Sequence, residues 1–180
     1  MGNRIQLWVF NIEGLARNFR ALKQLMKKYE PEMVMVSETW ALQTEQKLFE
    51  VKDYERAGTA AIKGKKGGRP SGGMMEYVRK NIGWIMELEK DGEGGERIRT
   101  VKVGGRRGHN QLRLAIIGVY GPQRTEEEKV EKFYDDLDEK IYQLRLEGWR
   151  VVCAGDFNIG WKRKKNRQMI EPRRGWKDGK

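Results

Sequence analysis

The sequence predicts an α/β fold, because short apolar strand patterns alternate with two long amphipathic helical patterns. Residues 5 to 10 alternate as a strand that is apolar on both faces, and apolar residues then recur at helical spacing from Leu15 to Tyr29. Pro31 predicts the end of that helix, and residues 33 to 36 form a second apolar strand. A right-handed crossover places the two strands side by side, with their C-terminal ends on one edge of a sheet.

The rest of the α/β pattern consists of hairpins, a second helix and a last strand. From Tyr54 to Tyr120, short β-like runs are separated by glycine clusters, which predicts antiparallel hairpins. A capping box of Thr125 with Glu128 predicts the start of the second helix, and Gly148 predicts its end. Residues 150 to 154 then form an apolar strand that leads directly into a Gly-Asp-Phe-Asn sequence.

Composition predicts a single globular domain with a basic C-terminal tail. The chain has 180 residues, a net charge of +11 and a pI near 9.8. Residues 161–180 hold nine Lys and Arg against two acidic residues, so they supply +7 of that charge. We therefore divide the chain into a domain at 1–160 and a tail at 161–180. The excess positive charge favours DNA or another nucleic acid as partner, although a solvated tail without a specific ligand would look the same.

The cellular location follows from the cysteine content and from the hydropathy pattern. Cys153 is the only cysteine, and it lies in an apolar strand, so we expect a buried thiol and no disulfide. No stretch has the apolar length of a membrane span, and the first residues resemble a strand rather than a signal peptide. These features predict an intracellular protein, nuclear or cytoplasmic, that is neither secreted nor bound to a membrane.

Polar residues follow three of the predicted strands, and their chemistry is that of phosphodiester hydrolysis. Taken singly, each could be an ordinary turn or helix cap. Together they follow apolar strands in an order that brings the strand ends to one rim. Hydrolysis by water needs a metal ion on the phosphoryl oxygens, a carboxylate for the water and neutral donors for the phosphate. The candidates are Asn11, Glu13, Glu38, Asp156 and Asn158, with Tyr120 at a fourth strand end.

Five motifs in order resemble the endonuclease/exonuclease/phosphatase superfamily, most closely the apurinic-endonuclease-like domain of non-LTR retrotransposons. They are Phe-Asn-Ile-Glu-Gly-Leu at 10–15, Val-Ser-Glu-Thr-Trp at 36–40, Gly-Arg-Pro-Ser-Gly-Gly at 68–73, Val-Tyr-Gly-Pro at 119–122 and Gly-Asp-Phe-Asn at 155–158. The resemblance implies a four-layer α/β sandwich of the deoxyribonuclease and apurinic-endonuclease type, with the active site at one rim of two packed sheets.

The same resemblance implies a role for each candidate residue. Glu38 would be the principal Mg²⁺ ligand, Glu13 a second acidic ligand, and Asn11 would orient the site, with Mn²⁺ as an alternative ion. Tyr120 and Asn158 would contact the scissile phosphate, and Asp156 would handle the nucleophilic water. Independently of the resemblance, the positive charge of the tail residues Lys162, Arg163, Lys164, Lys165 and Arg167 predicts that they contact substrate phosphates.

The chain departs from the family pattern in three ways. Members continue past Gly-Asp-Phe-Asn to a late Ser-Asp-His motif, whereas the only histidine here, His109, precedes Tyr120. We therefore expect a domain that lacks its last strands, with an unpaired sheet edge and an uncovered apolar face. Glu76 places a charge at the centre of an apolar strand, where an unpaired carboxylate would cost stability or have a raised pKa. Residues from Trp161 onward have no strand pattern.

These observations support weak or absent Mg²⁺-dependent endonuclease activity on DNA as the first hypothesis. A catalytically silent nucleic-acid-binding remnant of a retroelement is the alternative. An inositol- or lipid-phosphate phosphatase of the same superfamily is disfavoured by the retrotransposon-like motifs. The oligomeric state is left open.

Overall fold

The computed structural model describes residues 5–64, 68–82, 84–92, 96–105, 113–123 and 125–159. Two helices are α1 (Leu15–Tyr29) and α2 (Glu127–Leu146), and a short 3₁₀ helix covers Gln46–Phe49. The strands are β1 (Leu7–Asn11), β2 (Met33–Ser37), β3 (Tyr54–Thr59), β4 (Met74–Arg79), β5 (Ile85–Leu88), β6 (Ile98–Gly104), β7 (Arg113–Tyr120) and β8 (Arg150–Asp156).

The strands form two mixed four-stranded sheets, ordered β1-β2-β4-β3 and β5-β6-β7-β8. β1 and β2 are parallel neighbours around α1, and β7 and β8 are parallel neighbours around α2. The remaining pairs are antiparallel, as the glycine-separated pattern predicts. Each parallel pair therefore ends at the same side of its sheet, and this arrangement positions the candidate residues.

Three apolar clusters define the four layers of the predicted sandwich. Leu15, Leu22 and Met26 of α1 pack on the outer face of the first sheet. Met33 and Met35 of β2 pack against residues of β6 and β7 between the two sheets. Phe133, Leu137 and Leu144 of α2 cover the outer face of the second sheet. The four-layer α/β fold is confirmed.

The helix ends agree only partly with the sequence prediction. α1 ends before Pro31, where Glu30 adopts a left-handed conformation and its N–H bonds the carbonyl of Met26 at 2.9 Å. The prediction that Thr125 and Glu128 form a capping box is wrong. α2 begins at Glu127, its N-cap residue is Glu126, and no side chain caps it. A turn closed by the Glu126 N–H and the Gln123 carbonyl at 3.0 Å precedes the helix and displaces its start.

Glu76 is buried between the sheets, but it is not unpaired. Its Oε2 accepts a hydrogen bond from Nε of Arg99 on β6 at 3.2 Å, while its Oε1 has no partner among the described residues. Arg99 also donates to the carbonyls of Glu89 and Lys90. Burial outweighs the favourable charge of Arg99 and raises the pKa of Glu76 to about 7. The ion pair therefore joins β4 of one sheet to β6 of the other.

The strands β1 and β8 are the outer strands on the same side of the sandwich. Neither has a partner on its outer edge within the described part of the chain. Val9 of β1 is 37% exposed and Val152 of β8 is 48% exposed, so the apolar space between the sheets is open here. The first strand is apolar on both faces, from which we would expect both faces to be covered; that expectation is wrong at Val9, whereas the unpaired edge agrees with the prediction.

Neither of the two described helices has the length and apolar character needed to cross a membrane. His109 and the tail at 161–180 lie outside the described residues, so the predictions made for them are not tested by the structure.

Candidate active site

The C-terminal ends of β1, β2, β7 and β8 meet at one rim of the sandwich. Asn11 pairs with Ser37 at the end of the first parallel pair, and Tyr120 pairs with Asp156 at the end of the second. Asp156 is the last residue of β8, and not a residue beyond the strand, because the parallel pairing continues to Tyr120. The Asn11 side chain bridges the two sheets by donating from Nδ2 to Oδ2 of Asp156 at 3.2 Å.

Glu38 lies directly after β2 and is bonded to Tyr120 of the other sheet. The Tyr120 hydroxyl donates to Glu38 Oε1 at 3.0 Å, while Oε2 has no hydrogen bond from the described residues. Burial and the neighbouring Glu38 carboxylate raise the pKa of Tyr120 to about 12. The hydroxyl therefore keeps its proton at neutral pH and acts as a donor.

Asp156 is held in place by hydrogen bonds to both of its carboxylate oxygens. Oδ2 accepts from Asn11, and Oδ1 accepts from the backbone N–H of Asn158 at 3.0 Å. Asn158 in turn donates from Nδ2 to the carbonyl of Gly121 at 2.6 Å. A side-chain amide nitrogen carries a further hydrogen, so Asn158 retains a donor for a ligand. The arrangement fixes beside an amide donor a carboxylate that can act as a general base on water.

Glu13 reaches the rim through its backbone. Its N–H donates to Oδ1 of Asn11 at 3.3 Å, and the next N–H, that of Gly14, donates to the carbonyl of Glu38 at 2.8 Å. The Glu13 side chain is exposed. The structure thus brings Asn11, Glu13 and Glu38 together.

Strained backbone is concentrated at this rim. Glu13, Glu38, Trp40 and Asn158 have φ values of 46°, 54°, 55° and 52°, in the left-handed region that non-glycine residues rarely occupy. Such strain persists only where surrounding contacts enforce it, and it clusters at functional sites. Hydrogen bonds between the loops enforce it here, including one from the Trp40 N–H to the Gly72 carbonyl at 3.1 Å.

Arg97 is a rim residue that the sequence analysis missed. It donates from Nη1 to the carbonyls of Tyr120 and Gly121, both at 3.2 Å, and its guanidinium lies 5.1 Å from the centre of the Tyr120 ring. Its position follows from the β6–β7 register, in which the next residue, Ile98, pairs with Val119. The pairing of β6 with β7 could have identified Arg97. The local sequence pattern could not, because the residue follows a glycine-rich segment.

The donor set fits a magnesium ion bound through few protein ligands. Within the described ranges there is no group of three or more His, Cys, Asp or Glu side chains that could hold a metal. Mg²⁺ does not need one, because it keeps several waters and commonly uses one or two carboxylates together with substrate phosphates. Glu38 has a carboxylate oxygen without a hydrogen bond from the described residues, and its backbone carbonyl is bonded to the Gly14 N–H next to Glu13.

A family model described as the endonuclease/exonuclease/phosphatase family matches residues 9–172 of the chain. No curated protein sequence shows significant similarity to it. The chain is similar in structure to the AP endonuclease LMAP of Leishmania major, with a TM-score of 0.69 and 18% identity over 86% of this chain and 55% of that one.

Two further solved structures share the fold. The catalytic domain of Xenopus laevis APE2 has a TM-score of 0.66 and 15% identity over 88% of this chain and 60% of that one. D. rerio TDP2, solved in complex with a single-strand DNA product, has a TM-score of 0.58 and 15% identity over 88% of this chain and 62% of that one. The chain thus spans less than two thirds of the length of each of these structures.

Proposed function

Because the chain belongs to the endonuclease/exonuclease/phosphatase family, we propose that it is a phosphodiesterase that hydrolyses DNA slowly with the help of Mg²⁺. The observation that supports this most is the pair of hydrogen bonds across the rim, from Tyr120 to Glu38 and from Asn11 to Asp156. They hold two carboxylates from different sheets at one place, where one can face a metal ion and the other a water molecule.

The proposed roles follow from the hydrogen bonds of each residue. Glu38 would hold the ion through its carboxylate, with Glu13 and Asn11 as further ligands, and Mn²⁺ could replace Mg²⁺. The bound ion supplies charge stabilisation on the phosphoryl oxygens. The protonated hydroxyl of Tyr120 donates a hydrogen bond to Glu38 and so fixes the position of its carboxylate. Asn158 directs its remaining amide hydrogen toward the phosphate.

Asp156 would accept the proton of the water that attacks phosphorus, while the P–O ester bond breaks and the leaving oxygen takes a proton from solvent water. The N–H groups of Asn11 and Asn158 orient its carboxylate, so an acceptor is fixed without a histidine. In such a reaction a positioned general acid or base contributes about 10²–10⁴-fold in rate. The 180 residues contain one histidine, which precedes Tyr120, and they lack a late Ser-Asp-His motif. We therefore expect a polypeptide of these residues to turn over slowly.

We also propose that the protein is intracellular and that it is related to the endonuclease domains of non-LTR retrotransposons. The second rests on the five motifs between residues 10 and 158. The basic segment 161–180 is proposed as a tail that contacts DNA phosphates.

A substrate panel tests the proposal. Purified chain is incubated in Mg²⁺, Mn²⁺ or EDTA with labelled duplex DNA, and separately with an inositol polyphosphate. We expect slow strand cleavage in either metal and no phosphate release from the inositol compound. Phosphate release from the inositol compound without strand cleavage would contradict DNA as the substrate and would indicate a small phosphate ester in its place.

A catalytically silent nucleic-acid-binding protein is the second candidate. It is favoured by the nine Lys and Arg of residues 161–180, which can bind DNA phosphates without any cleavage. Duplex binding in the same buffers, with no product in either metal above the level of the Glu38→Ala variant, would support it over the enzyme.

A further inference from the structure

Trp40 is fixed at the rim two residues after Glu38. Its indole lies against Gly14, where a Cβ would come within 2.5 Å of the ring atom Cε3. Its backbone N–H is bonded to the Gly72 carbonyl at 3.1 Å. The ring is therefore packed closely against the loop that carries Glu13, and this packing restricts its movement.

Arg69 stacks on this indole. Its guanidinium carbon lies 3.9 Å from the centre of the Trp40 ring, and the side chain is exposed. The loop that carries it is closed by paired hydrogen bonds between Ile62 and Ser71, at 2.9 and 3.0 Å. A guanidinium stacked on an aromatic ring keeps its N–H groups free at its edge, where they can bind phosphate oxygens.

Several other arginines of the described residues have their guanidinium groups committed to protein acceptors, although not all do: Arg113, over Trp149, has no side-chain hydrogen bond or ion pair with those residues. Arg79 bonds Glu30 and Glu32, Arg99 bonds Glu76, and Arg97 bonds two backbone carbonyls. Arg69 has no ion pair and no side-chain hydrogen bond with the residues that the structure describes. It is thus an oriented cation beside the candidate site with its donors unused.

We propose that Arg69, held over the Trp40 ring, binds a backbone phosphate of the nucleic-acid strand that enters the site. This inference rests on the proposed function and adds a substrate contact to it. The ligand is the phosphodiester backbone, not a base, because the ring face that could stack a base is already covered by the guanidinium. Arg69 therefore positions the strand next to Glu38 and contributes affinity without sequence preference.

The chain contains a matched control for this test. Arg113 lies over Trp149 at 4.7 Å, at the start of β7, whereas Tyr120 at the other end of β7 lies at the rim. Arg113→Ala thus removes the same charge from the same kind of stack at the opposite end of the molecule.

The experiment measures the affinity of the full chain for a labelled DNA duplex in EDTA, at several salt concentrations. Neutralising one phosphate contributes about 0.9 to the slope of log affinity against log salt. We expect Arg69→Ala to lower that slope by about this amount and to weaken binding about tenfold. Arg69→Lys should keep the slope but bind less tightly, because an ammonium does not stack flat on the ring. Arg113→Ala should match the wild-type chain.

An unchanged slope in Arg69→Ala, or an equal fall in Arg113→Ala, overturns the proposal, and so does an absence of DNA binding. Equal thermal transitions of the variants show that each is folded. Cleavage is measured separately in Mg²⁺. A slope that depends on Arg69 without any cleavage supports the phosphate contact and overturns the proposed enzyme. Cleavage together with a salt slope that is the same in wild type and Arg69→Ala overturns the phosphate contact but not the proposed phosphodiesterase.

Discussion

At the scale of single residues, the candidate site depends on hydrogen bonds that join the two sheets. Tyr120 and Asp156 come from one sheet, and the other sheet supplies Asn11 at the end of β1 and Glu38 directly after β2. Each carboxylate is held by a donor from the opposite sheet. The chemistry at the rim therefore requires the sheets to keep their relative position.

Removal of the Tyr120 hydroxyl should slow DNA cleavage. Hydrogen bonds to charged groups are worth about 1.5–3 kcal/mol, so Tyr120→Phe should lower the cleavage rate about 10- to 100-fold. Tyr142→Phe, at an exposed tyrosine of α2, is the control and should leave the rate unchanged. Since the pKa of Tyr120 is about 12, the difference between Tyr120→Phe and wild type should stay constant from pH 6 to 9. Equal rates in the two tyrosine variants would remove Tyr120 from the site.

The buried Glu76 should give the chain an unusual dependence of stability on pH. Its pKa is about 7 in the folded protein, above the ordinary value of 4.5, so the folded state binds more protons than the unfolded state between these values. The free energy of unfolding should then fall by roughly 3 kcal/mol as the pH rises through this window. Above pH 7 the ionised Glu76 carboxylate lowers the free energy of unfolding by the full amount, and below pH 4.5 this loss of stability is absent.

The Glu76→Gln variant isolates this effect in urea titrations at several pH values. The difference in unfolding free energy between wild type and variant should change between pH 4.5 and 7 and be flat outside that range. Glu87→Gln, at an exposed position of β5, is the matched control for the removal of a carboxylate. A flat difference for Glu76→Gln would mean that Arg99 holds the carboxylate ionised throughout.

At the scale of elements, the open edges of β1 and β8 are the feature that most affects behaviour in solution. Unpaired strand edges pair readily with other chains. Val152 on β8 and Val9 on β1 expose apolar surface beside those edges. We therefore expect a polypeptide of these 180 residues to self-associate as its concentration rises.

A lysine at the exposed position of β8 should reduce that association. Val152→Lys places a charge on the edge strand, which natural sheets use to prevent pairing. The matched control is Leu146→Lys, which adds the same charge to an exposed apolar residue of α2. Light scattering at increasing concentration should show a lower apparent mass for Val152→Lys than for Leu146→Lys. The same mass for both would assign the effect to net charge and not to the edge.

The sequence predicted the elements better than the contacts between them. The order β1-α1-β2 and the polar strand ends are local patterns, so Asn11, Glu38 and Asp156 could be placed at one rim in advance. The partner of Glu76 and the position of Arg97 depend on the register of distant strands, which no local pattern encodes. The start of α2 was predicted incorrectly because a preceding turn at Gln123 outweighs the capping signal of Thr125.

At the scale of the whole molecule, charge and site are separated along the sequence. The candidate site lies between residues 11 and 158, whereas most of the net positive charge lies at 161–180. This division predicts that binding strength and cleavage chemistry can be altered independently.

Deletion of residues 161–180 should weaken DNA binding and lower its salt dependence. Those residues contain nine Lys and Arg, including Lys162, Arg163, Lys164, Lys165 and Arg167. Each phosphate contact that is lost lowers the salt slope by about 0.9. The measurement is duplex binding at several salt concentrations, with a chain in which the same basic residues are replaced by Gln as the control for length. Unchanged binding in both variants would exclude the tail as a DNA contact.

The central claim is that the rim around Glu38 is a metal-dependent phosphodiesterase site. The measurement that tests it most directly is nicking of supercoiled plasmid by the wild-type chain in Mg²⁺ and in EDTA, beside Glu38→Ala and the control Glu139→Ala at an exposed position of α2. We predict slow nicking in Mg²⁺ by the wild-type and Glu139→Ala chains, and none in EDTA or with Glu38→Ala. Nicking that persists in EDTA, or that is the same in wild type and Glu38→Ala, would contradict the claim.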